Sequence, residues 1–245
     1  PYNIKNKLKY LKIGIINRIN YSYIKQKNKK HMFESLIDRK IKKLKIEKGT
    51  LIGFSVFSLE QLLPTLVLAK RIKERYNVKI VLGGAYIKIY HYLISLEKYN
   101  FIDYIIYGDG ELPMLRLIKY LNNEEKIEKV PSLKYMNDGR LITNCKHNIP
   151  LQEMPPPKYN METIVSKRRE KEHDTNYSGI LYQFSSGCYK KCAHCTYKKL
   201  AKMDFKSINK AIKEIVDIKN TSNINRFRFI DCAINASEKY LEAIC

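Results

Sequence analysis

Between residues 50 and 121 the sequence alternates short apolar runs with longer amphipathic ones, and this alternation constrains the fold more than any other feature. Short apolar runs lie at Leu51–Phe57, Val78–Leu82 and Ile102–Tyr107, and each has the length of a buried strand. The segments Leu59–Tyr76 and Tyr86–Tyr99 between them repeat apolar residues at helical spacing. Strands that alternate with helices of this length pair in parallel, with helices on both faces. The pattern therefore predicts an α/β fold with a doubly wound parallel sheet.

Further elements extend this predicted domain in both directions. They are a strand at Tyr10–Asn17, an amphipathic helix at Lys25–Leu44, a helix at Glu111–Leu121 and a β-hairpin that turns at Asn137-Asp138-Gly139. Prolines and charged residues without apolar periodicity then mark residues 148–178 as a linker. The pattern of strand and helix resumes after this linker and continues to residue 245.

Small residues follow the three central strands at the points where they end. Ser55 and Ser58 lie at the end of the first strand, Gly83-Gly84 follows the second and Gly108-Asp109-Gly110 follows the third. At the carboxyl edge of a parallel sheet such residues let a flat or phosphorylated ligand approach the backbone. Each loop can equally be a tight strand-to-helix turn that binds nothing. A G-x-G-x-x-G motif is absent, which disfavours nicotinamide and flavin cofactors.

Three cysteines, Cys188, Cys192 and Cys195, follow the predicted strand Ile180–Phe184 with the spacing C-x3-C-x2-C. Three thiolates on one loop can hold three irons of a four-iron cluster and leave the fourth iron open to a ligand. A zinc knuckle with Cys232 or His194 as the fourth ligand, or a set of unconnected thiols, is the alternative. Zinc sites usually contain two C-x2-C pairs, and the second pair is missing here.

The net charge of +22 raises the question of a nucleic-acid partner, since clustered Lys and Arg attract phosphate. The lysines are scattered rather than gathered in one motif, and the chain is also rich in Ile, Asn and Tyr, which have AT-rich codons. Coding bias therefore explains the charge better, and RNA contact stays open. No apolar run reaches the ~20 residues of a membrane span, and the basic N-terminus lacks the apolar core and cleavage site expected of a signal peptide. A cytoplasmic protein without a membrane partner is expected.

The cysteine spacing, the preceding strand and Gly187 together resemble the radical S-adenosylmethionine enzymes, whose signature is C-x3-C-x-φ-C with an aromatic residue at φ. Here φ is His194, which is also a flat ring. The strand-end loops and the stretch Leu151–Tyr159 are similar to the cobalamin-binding domain and connector that precede many such enzymes. The family's usual G-E-G-E reads Gly108-Asp109-Gly110-Glu111 here. A D-x-H-x-x-G motif is absent, which leaves open cobalt without a protein histidine or a domain that no longer binds cobalamin.

The resemblance implies a division of the chain into three parts. Residues 1–147 form the doubly wound, cobalamin-binding type of domain, residues 148–178 the linker and residues 179–245 the start of a truncated radical SAM (β/α) barrel. About two of the eight βα units of such a barrel are present. The chain begins with Pro1 and stops at Cys245 inside a predicted helix, so we expect the N-terminal portion of a longer protein.

The resemblance also implies the cofactors and the residues that hold them. A [4Fe-4S] cluster on the three cysteines binds S-adenosylmethionine, with His194 near its adenine and Asp231 near its amino group. A surface histidine and a helix-capping carboxylate are the plainer interpretations of those two residues. The expected cobalamin contacts are Ser55, Ser58, Gly83, Gly84 and Gly108.

Three hypotheses about function follow. The first is a cobalamin-dependent radical SAM enzyme that transfers methyl groups to, or otherwise modifies, a peptide or small molecule. It would take electrons from a low-potential donor such as a flavodoxin or ferredoxin. The second is a basic module that binds zinc and RNA without catalysis. The third is a catalytically idle, truncated chain.

Overall fold

The computed structural model describes residues 34–42, 46–47, 49–159, 180–190, 192–193, 195, 203–222 and 226–244. The chain divides into two compact units, residues 1–148 and 149–245. The predicted strand Tyr10–Asn17 and His194 lie outside the described residues. Within those residues, no helix is both long and apolar enough to cross a membrane.

A mixed five-stranded sheet forms the first unit, with strand order β1-β2-β3-β4-β5. Strands β1, β2 and β3 are parallel, and β4 and β5 add to the β3 edge as an antiparallel hairpin. The elements are α1 Glu34–Ile41, β1 Leu51–Ser55, α2 Leu59–Tyr76, β2 Lys79–Gly83, α3 Ala85–Tyr90, a 3-10 turn His91–Leu93, β3 Tyr104–Ile106, α4 Glu111–Leu121, a 3-10 turn Ile127–Lys129, β4 Leu133–Asn137 and β5 Arg140–Thr143.

Both faces of this sheet are covered, as the alternation of buried residues along β2 demonstrates. Ile80 and Leu82 belong to one hydrophobic cluster, which includes Leu62 and Leu66 of α2. Val81 points the other way, into a second cluster that contains Leu117 of α4. Side chains of a strand alternate between faces, so two clusters of this kind require helices on both sides. The predicted α/β fold with a doubly wound parallel sheet is confirmed, with β1, β2 and β3 as the parallel strands.

The hairpin predicted around Asn137-Asp138-Gly139 is also present, and it makes the sheet mixed rather than purely parallel. Asp138 and Gly139 have φ values of 46° and 75°, as the tight turn of a two-residue hairpin requires. The helix predicted over Tyr86–Tyr99 is shorter than expected and ends at Tyr90. Beyond the following 3-10 turn, Ile94, Leu96 and Tyr99 enter the first hydrophobic cluster from an irregular segment. Their burial, rather than helical periodicity, decides the conformation there.

A parallel strand pair, β6 Ile180–Tyr182 and β9 Phe227–Phe229, forms the centre of the second unit. Helix α5 Ile208–Ser222 connects the two strands in sequence and packs on them through Ala211 and Ile218. The other elements are β7 Ser185–Ser186, β8 Asp204–Phe205, a 3-10 turn Ile234–Ala236 and α6 Glu238–Ile244. This βαβ arrangement is the kind of unit with which a (β/α) barrel begins. The sheets formed by the described residues are open, and they close no barrel.

Part of the predicted linker packs on the second unit. The backbone N–H of Leu151 donates to Oδ2 of Asp204 at 2.7 Å, and Nζ of Lys210 donates to the carbonyl oxygens of Gln152 and Met154, each at 2.6 Å. Leu151 is buried. The assignment of residues 1–147, 148–178 and 179–245 to a cobalamin-type domain, a linker and a barrel start stays a prediction.

Candidate cofactor sites

The carboxyl edge of the first sheet brings together the ends of β1 and β2, as the sequence predicted for parallel neighbours. Ser55 and Gly83 are directly paired. Just beyond them, the N–H of Val56 donates to the carbonyl of Gly83 at 2.8 Å, and the N–H of Tyr86 donates to the carbonyl of Val56 at 2.9 Å. Ser55 is exposed at this edge and Ser58, which precedes α2, is half-buried. Both residues are therefore accessible at least in part.

Gly84 is required at this edge by the backbone itself. Its φ is 98° and its ψ is 173°, a combination that residues other than glycine rarely adopt. A Cβ added there would lie 2.6 Å from the N and 2.7 Å from the O of Val56. Gly84 thus lets the loop after β2 pass close to the loop after β1. A ligand role for Gly83 and Gly84 stays a prediction beside this packing role.

Gly108, after β3, also has a packing role. The residue is buried, and an added Cβ would lie 2.6 Å from Oγ of Ser132. The next residue, Asp109, forms an ion pair with Lys88 of α3. This ion pair ties the loop after β3 to the helix after β2. The predicted contact between Gly108 and a cofactor is not tested by this geometry.

His91, which lies beside the residue after the third strand, was not identified from the sequence. The ring of His91 lies 4.7 Å from the ring of Tyr107, measured between centroids. Burial lowers the pKa of His91 to about 4, and the positive charges of Lys134 and Lys146 add to this effect. The imidazole is therefore neutral at pH 7. The pairing depends on tertiary contact, and nothing in the local sequence around His91 indicated it.

The cysteine loop of the second unit starts at Gly187, whose φ is 85°. Cys188 and Cys195 are half-buried, Cys192 is exposed and all three are free thiols. The N–H of Cys195 donates to the carbonyl of Cys192 at 3.2 Å, which closes a turn over the second and third cysteines. His194, predicted to lie near an adenine, is outside the described residues.

The base of the cysteine loop, residues 184–186, is held by hydrogen bonds from two sides. Strand β7, just before the loop, pairs with β8, and the N–H of Lys206 donates to the carbonyl of Phe184 at 3.0 Å. From the other side, Oδ1 of Asp231 accepts hydrogen bonds from the N–H of Phe184 at 3.1 Å and from Oγ of Ser185 at 2.7 Å. The cap of the following helix is Ser237 instead, whose Oγ accepts from the N–H of Tyr240 at 3.3 Å. The predicted contact between Asp231 and an amino group of S-adenosylmethionine stays a prediction.

A buried ion pair lies next to Tyr182 of β6, the strand that precedes the cysteine loop. Nζ of Lys206 is 2.6 Å from Oε2 of Glu214, and the hydroxyl of Tyr182 donates to the same oxygen at 2.6 Å. Burial, and then the hydrogen bond to the Glu214 carboxylate, raise the pKa of Tyr182. The charge of Lys206 is thus neutralised next to the strand that enters the cysteine loop.

The donor chemistry of the cysteine loop fits an iron–sulfur cluster. Soft thiolates are the ligands such clusters take, and three free thiols lie within eight residues of one loop. Over the part of the chain that the structure describes, no three His, Cys, Asp or Glu side chains are grouped closely enough to hold a metal ion. The assignment of Cys188, Cys192 and Cys195 as ligands therefore depends on donor type and spacing and stays a prediction.

Comparison with known proteins found matches that each cover only part of the other protein. No protein-family model matches the chain. An anaerobic magnesium-protoporphyrin IX monomethyl ester cyclase from Synechocystis sp. is 28% identical over 171 residues, which cover 68% of this chain and 32% of the cyclase. The chain thus spans about a third of that relative.

Two solved structures share the fold. OxsB, a cobalamin-dependent S-adenosylmethionine radical enzyme with aqua-cobalamin and S-adenosylmethionine bound, has a TM-score of 0.56 and 22% identity. The match covers 80% of this chain and 27% of OxsB. The radical S-adenosylmethionine methyltransferase TsrM from Kitasatospora setae, with cobalamin and a [4Fe-4S] cluster bound, has a TM-score of 0.59 and 13% identity, over 85% of this chain and 41% of TsrM. At these identities the likeness establishes the fold.

Proposed function

We propose that this chain is part of a radical S-adenosylmethionine enzyme that holds a [4Fe-4S] cluster on Cys188, Cys192 and Cys195 and binds cobalamin on its first unit. The reaction would be methyl transfer or another modification of a peptide or small molecule. The observation that carries the proposal is the position of three free thiols on the loop that follows β6, in a βαβ unit. In this class of fold, catalytic loops follow the carboxyl ends of parallel strands.

Support also comes from the order of the two units. An open α/β sheet with small residues at its carboxyl edge precedes a βαβ unit with the cysteine loop. The fold likeness to OxsB and TsrM extends over at least 80% of the chain, so it includes parts of both units. Both of those proteins bind cobalamin, and a proposal of cobalamin here therefore agrees with the fold of the matched part of the chain.

Different residues of this chain would hold the cluster and the cobalamin. The three thiolates would hold three irons and leave the fourth iron for S-adenosylmethionine, with His194 beside its adenine. Exposed Ser55 and half-buried Ser58 would offer hydroxyl groups to cobalamin, while Gly83, Gly84 and Gly108 keep the strand ends free of side chains. When bound, the cluster and cobalamin supply one-electron and methyl-transfer chemistry, and the protein contributes binding and orientation.

Partners and compartment follow from the same chemistry. A cluster of this kind needs a low-potential electron donor, so we include a flavodoxin or ferredoxin in the proposal. We include a reducing, cytoplasmic compartment in the proposal, because Cys145, Cys188, Cys192 and Cys195 are free thiols. The substrate would be a small molecule or a peptide.

The deciding experiment measures iron, sulfide and zinc in the chain after anaerobic purification and reconstitution, with the visible spectrum of the same sample. About four irons and four sulfides per chain are expected. Cys192→Ala removes one of the three ligands, so it should lose most of the iron and the visible absorbance. Cys145→Ala is the matched control, because Cys145 is also an exposed free thiol but lies in the first unit.

Other results would favour the alternative hypotheses. About one zinc per chain without visible absorbance, together with salt-sensitive RNA binding, would replace the enzyme by a zinc- and RNA-binding module. A folded chain that takes up neither metal would indicate the catalytically idle fragment. Equal iron in the Cys192→Ala and Cys145→Ala variants would refute the assignment of the cysteine loop as the cluster site.

A further inference from the structure

We propose that Asp231 is a positioning residue for the cluster loop: its carboxylate holds the strand end from which Cys188 follows. This inference rests on the proposed function, because it takes Cys188 as a ligand of the cluster. It assigns Asp231 a contact with the protein backbone instead of one with S-adenosylmethionine.

The hydrogen bonds of Asp231 converge on the two residues that follow Gln183. Oδ1 accepts from the N–H of Phe184 at 3.1 Å, from Oγ of Ser185 at 2.7 Å and from the N–H of Ser185. Oδ2 shares the N–H of Phe184 at 3.3 Å. Ser185 is itself buried. A carboxylate that accepts several backbone N–H bonds makes charge-assisted bonds, which are about twice as strong as neutral ones.

Asp231 can reach this segment because the two parallel strands are in register. Tyr182 of β6 pairs with Phe229 of β9, and the N–H of Ile230 donates to the carbonyl of Tyr182 at 3.0 Å. The residue after Ile230 therefore lies beside the residues after Tyr182. Asp231 joins the ends of both strands, at the point where β6 gives way to the cysteine loop.

The opposite side of the same segment is held independently. Ser185 pairs with Phe205, Ser186 pairs with Asp204, and the N–H of Lys206 donates to the carbonyl of Phe184. The segment that leads into Gly187 and Cys188 is thus fixed on one side by a strand and on the other by a carboxylate. Residues that orient metal ligands from behind typically change metal affinity 10- to 100-fold when they are replaced.

The same contacts use most of the hydrogen-bonding capacity of Asp231, and what remains lies on Oδ2. A carboxylate has about four lone-pair positions, two on each oxygen. Oδ1 already accepts three donors, and Oδ2 shares one of them. Binding the amino group of S-adenosylmethionine would compete with the bonds that hold the loop base.

The test compares Asp231→Asn and Asp231→Ala with the parent chain after reconstitution of the cluster. Asn keeps an oxygen for the donors but loses the charge, and Ala removes every bond. We expect iron release to a chelator to become about 10-fold faster in Asp231→Ala, with Asp231→Asn between Ala and the parent. The EPR signal of the reduced cluster should also change in both variants. Asp217→Ala is the control, because Asp217 is an exposed acidic residue on α5 of the same unit.

Each outcome decides between the interpretations. Faster iron release with an altered EPR signal, while hydrogen exchange of amides in β6 and α5 is unchanged, would support the positioning role. Parent-like iron release with weaker S-adenosylmethionine binding would overturn it, and so would iron loss that merely follows faster hydrogen exchange in β6 and α5. A parent chain that takes up no iron would overturn the proposed function itself, whereas a stable cluster in both the parent and Asp231→Ala would overturn this inference alone.

Discussion

Replacement of Glu214 by Ala should destabilise the second unit more than any surface change of the same size. Glu214 and Lys206 are 5% and 6% exposed in their side chains, and Oε2 of Glu214 lies 2.6 Å from Nζ of Lys206. Without the carboxylate, Lys206 keeps the hydroxyl of Tyr182 at 3.3 Å and its ring at 4.4 Å. These contacts do not neutralise the buried charge.

The expected magnitude follows from that uncompensated charge. Removing one partner of a buried ion pair costs about 3–5 kcal/mol, because the other charge remains out of water. A loss of that size corresponds to more than a 100-fold change in the equilibrium for opening, at about 1.4 kcal/mol for each factor of ten. The free energy of opening of β6 and α5 should fall accordingly.

Hydrogen exchange is the suitable assay, since the chain has two units and one melting curve need not describe both. Exchange of amides in β6 and α5, followed by mass spectrometry, reports the opening of the second unit. Glu74→Ala is the control, because its carboxylate is 55% exposed and 3.7 Å from Nζ of Lys70 in the i,i+4 arrangement. That change should cost less than about 0.5 kcal/mol in α2.

A double variant tests whether charge is the cause. Lys206→Met combined with Glu214→Leu removes both charges and keeps apolar volume, so its stability should lie much closer to the parent than that of Glu214→Ala. The reasoning is refuted if Glu214→Ala changes exchange in β6 and α5 less than about fivefold. It is also refuted if the double variant is as unstable as the single one.

Two further predictions concern the first unit. Gly84→Ala should lower the free energy of unfolding by at least about 1–3 kcal/mol, because the backbone conformation of Gly84 excludes side chains. Gly110→Ala is the control, since Gly110 has a φ of −81° and no atom within 4 Å of an added Cβ, and it should change the free energy of unfolding by less than about 1 kcal/mol. Urea unfolding compares the two variants, and equal effects would contradict the close approach of the loops. His91 titrates with a pKa of about 4 in the folded chain against 6.5 when unperturbed, so the unfolded state binds more protons between these values. The contribution of His91 to the stability of the first unit should therefore be fully present above about pH 6.5 and be lost as the pH falls towards 4. The variant His91→Phe should flatten this pH dependence. An NMR titration of His91 with a midpoint near pH 6.5 would show the prediction to be wrong.

The sequence predicted the central strands of the first unit well, for a physical reason. Strand β1 lies inside the apolar run Leu51–Phe57 and β3 lies inside Ile102–Tyr107. Strand β2 is shifted by one residue from the run Val78–Leu82. Strands β2 and β3 are largely buried, and a strand buried on both faces needs apolar side chains at every position, so it appears in the sequence as a continuous run. Strand β1 is only partly buried, although its run is also apolar. The hairpin was equally predictable, because Asp138 and Gly139 suit the turn it contains.

The helix predicted over Tyr86–Tyr99 shows where such reasoning ends. Its apolar residues satisfy a helical period, but beyond Leu93 they are buried from an irregular segment. Periodicity states which residues seek the core, and an irregular chain can bury the same residues when the neighbouring elements leave room for it.

By itself, the sequence determined the alternation of strands and helices, the small residues at the strand ends and the grouping of three cysteines on one loop. Those features are local, because residue type and spacing within a few positions specify them. The tertiary structure decided that Asp231 reaches Ser185, 46 positions away, that Lys206 and Glu214 share the interior with Tyr182, and that Gly84 meets Val56. Such contacts depend on strand register and on the packing of whole elements, and no short stretch of sequence encodes the distance between two strand ends.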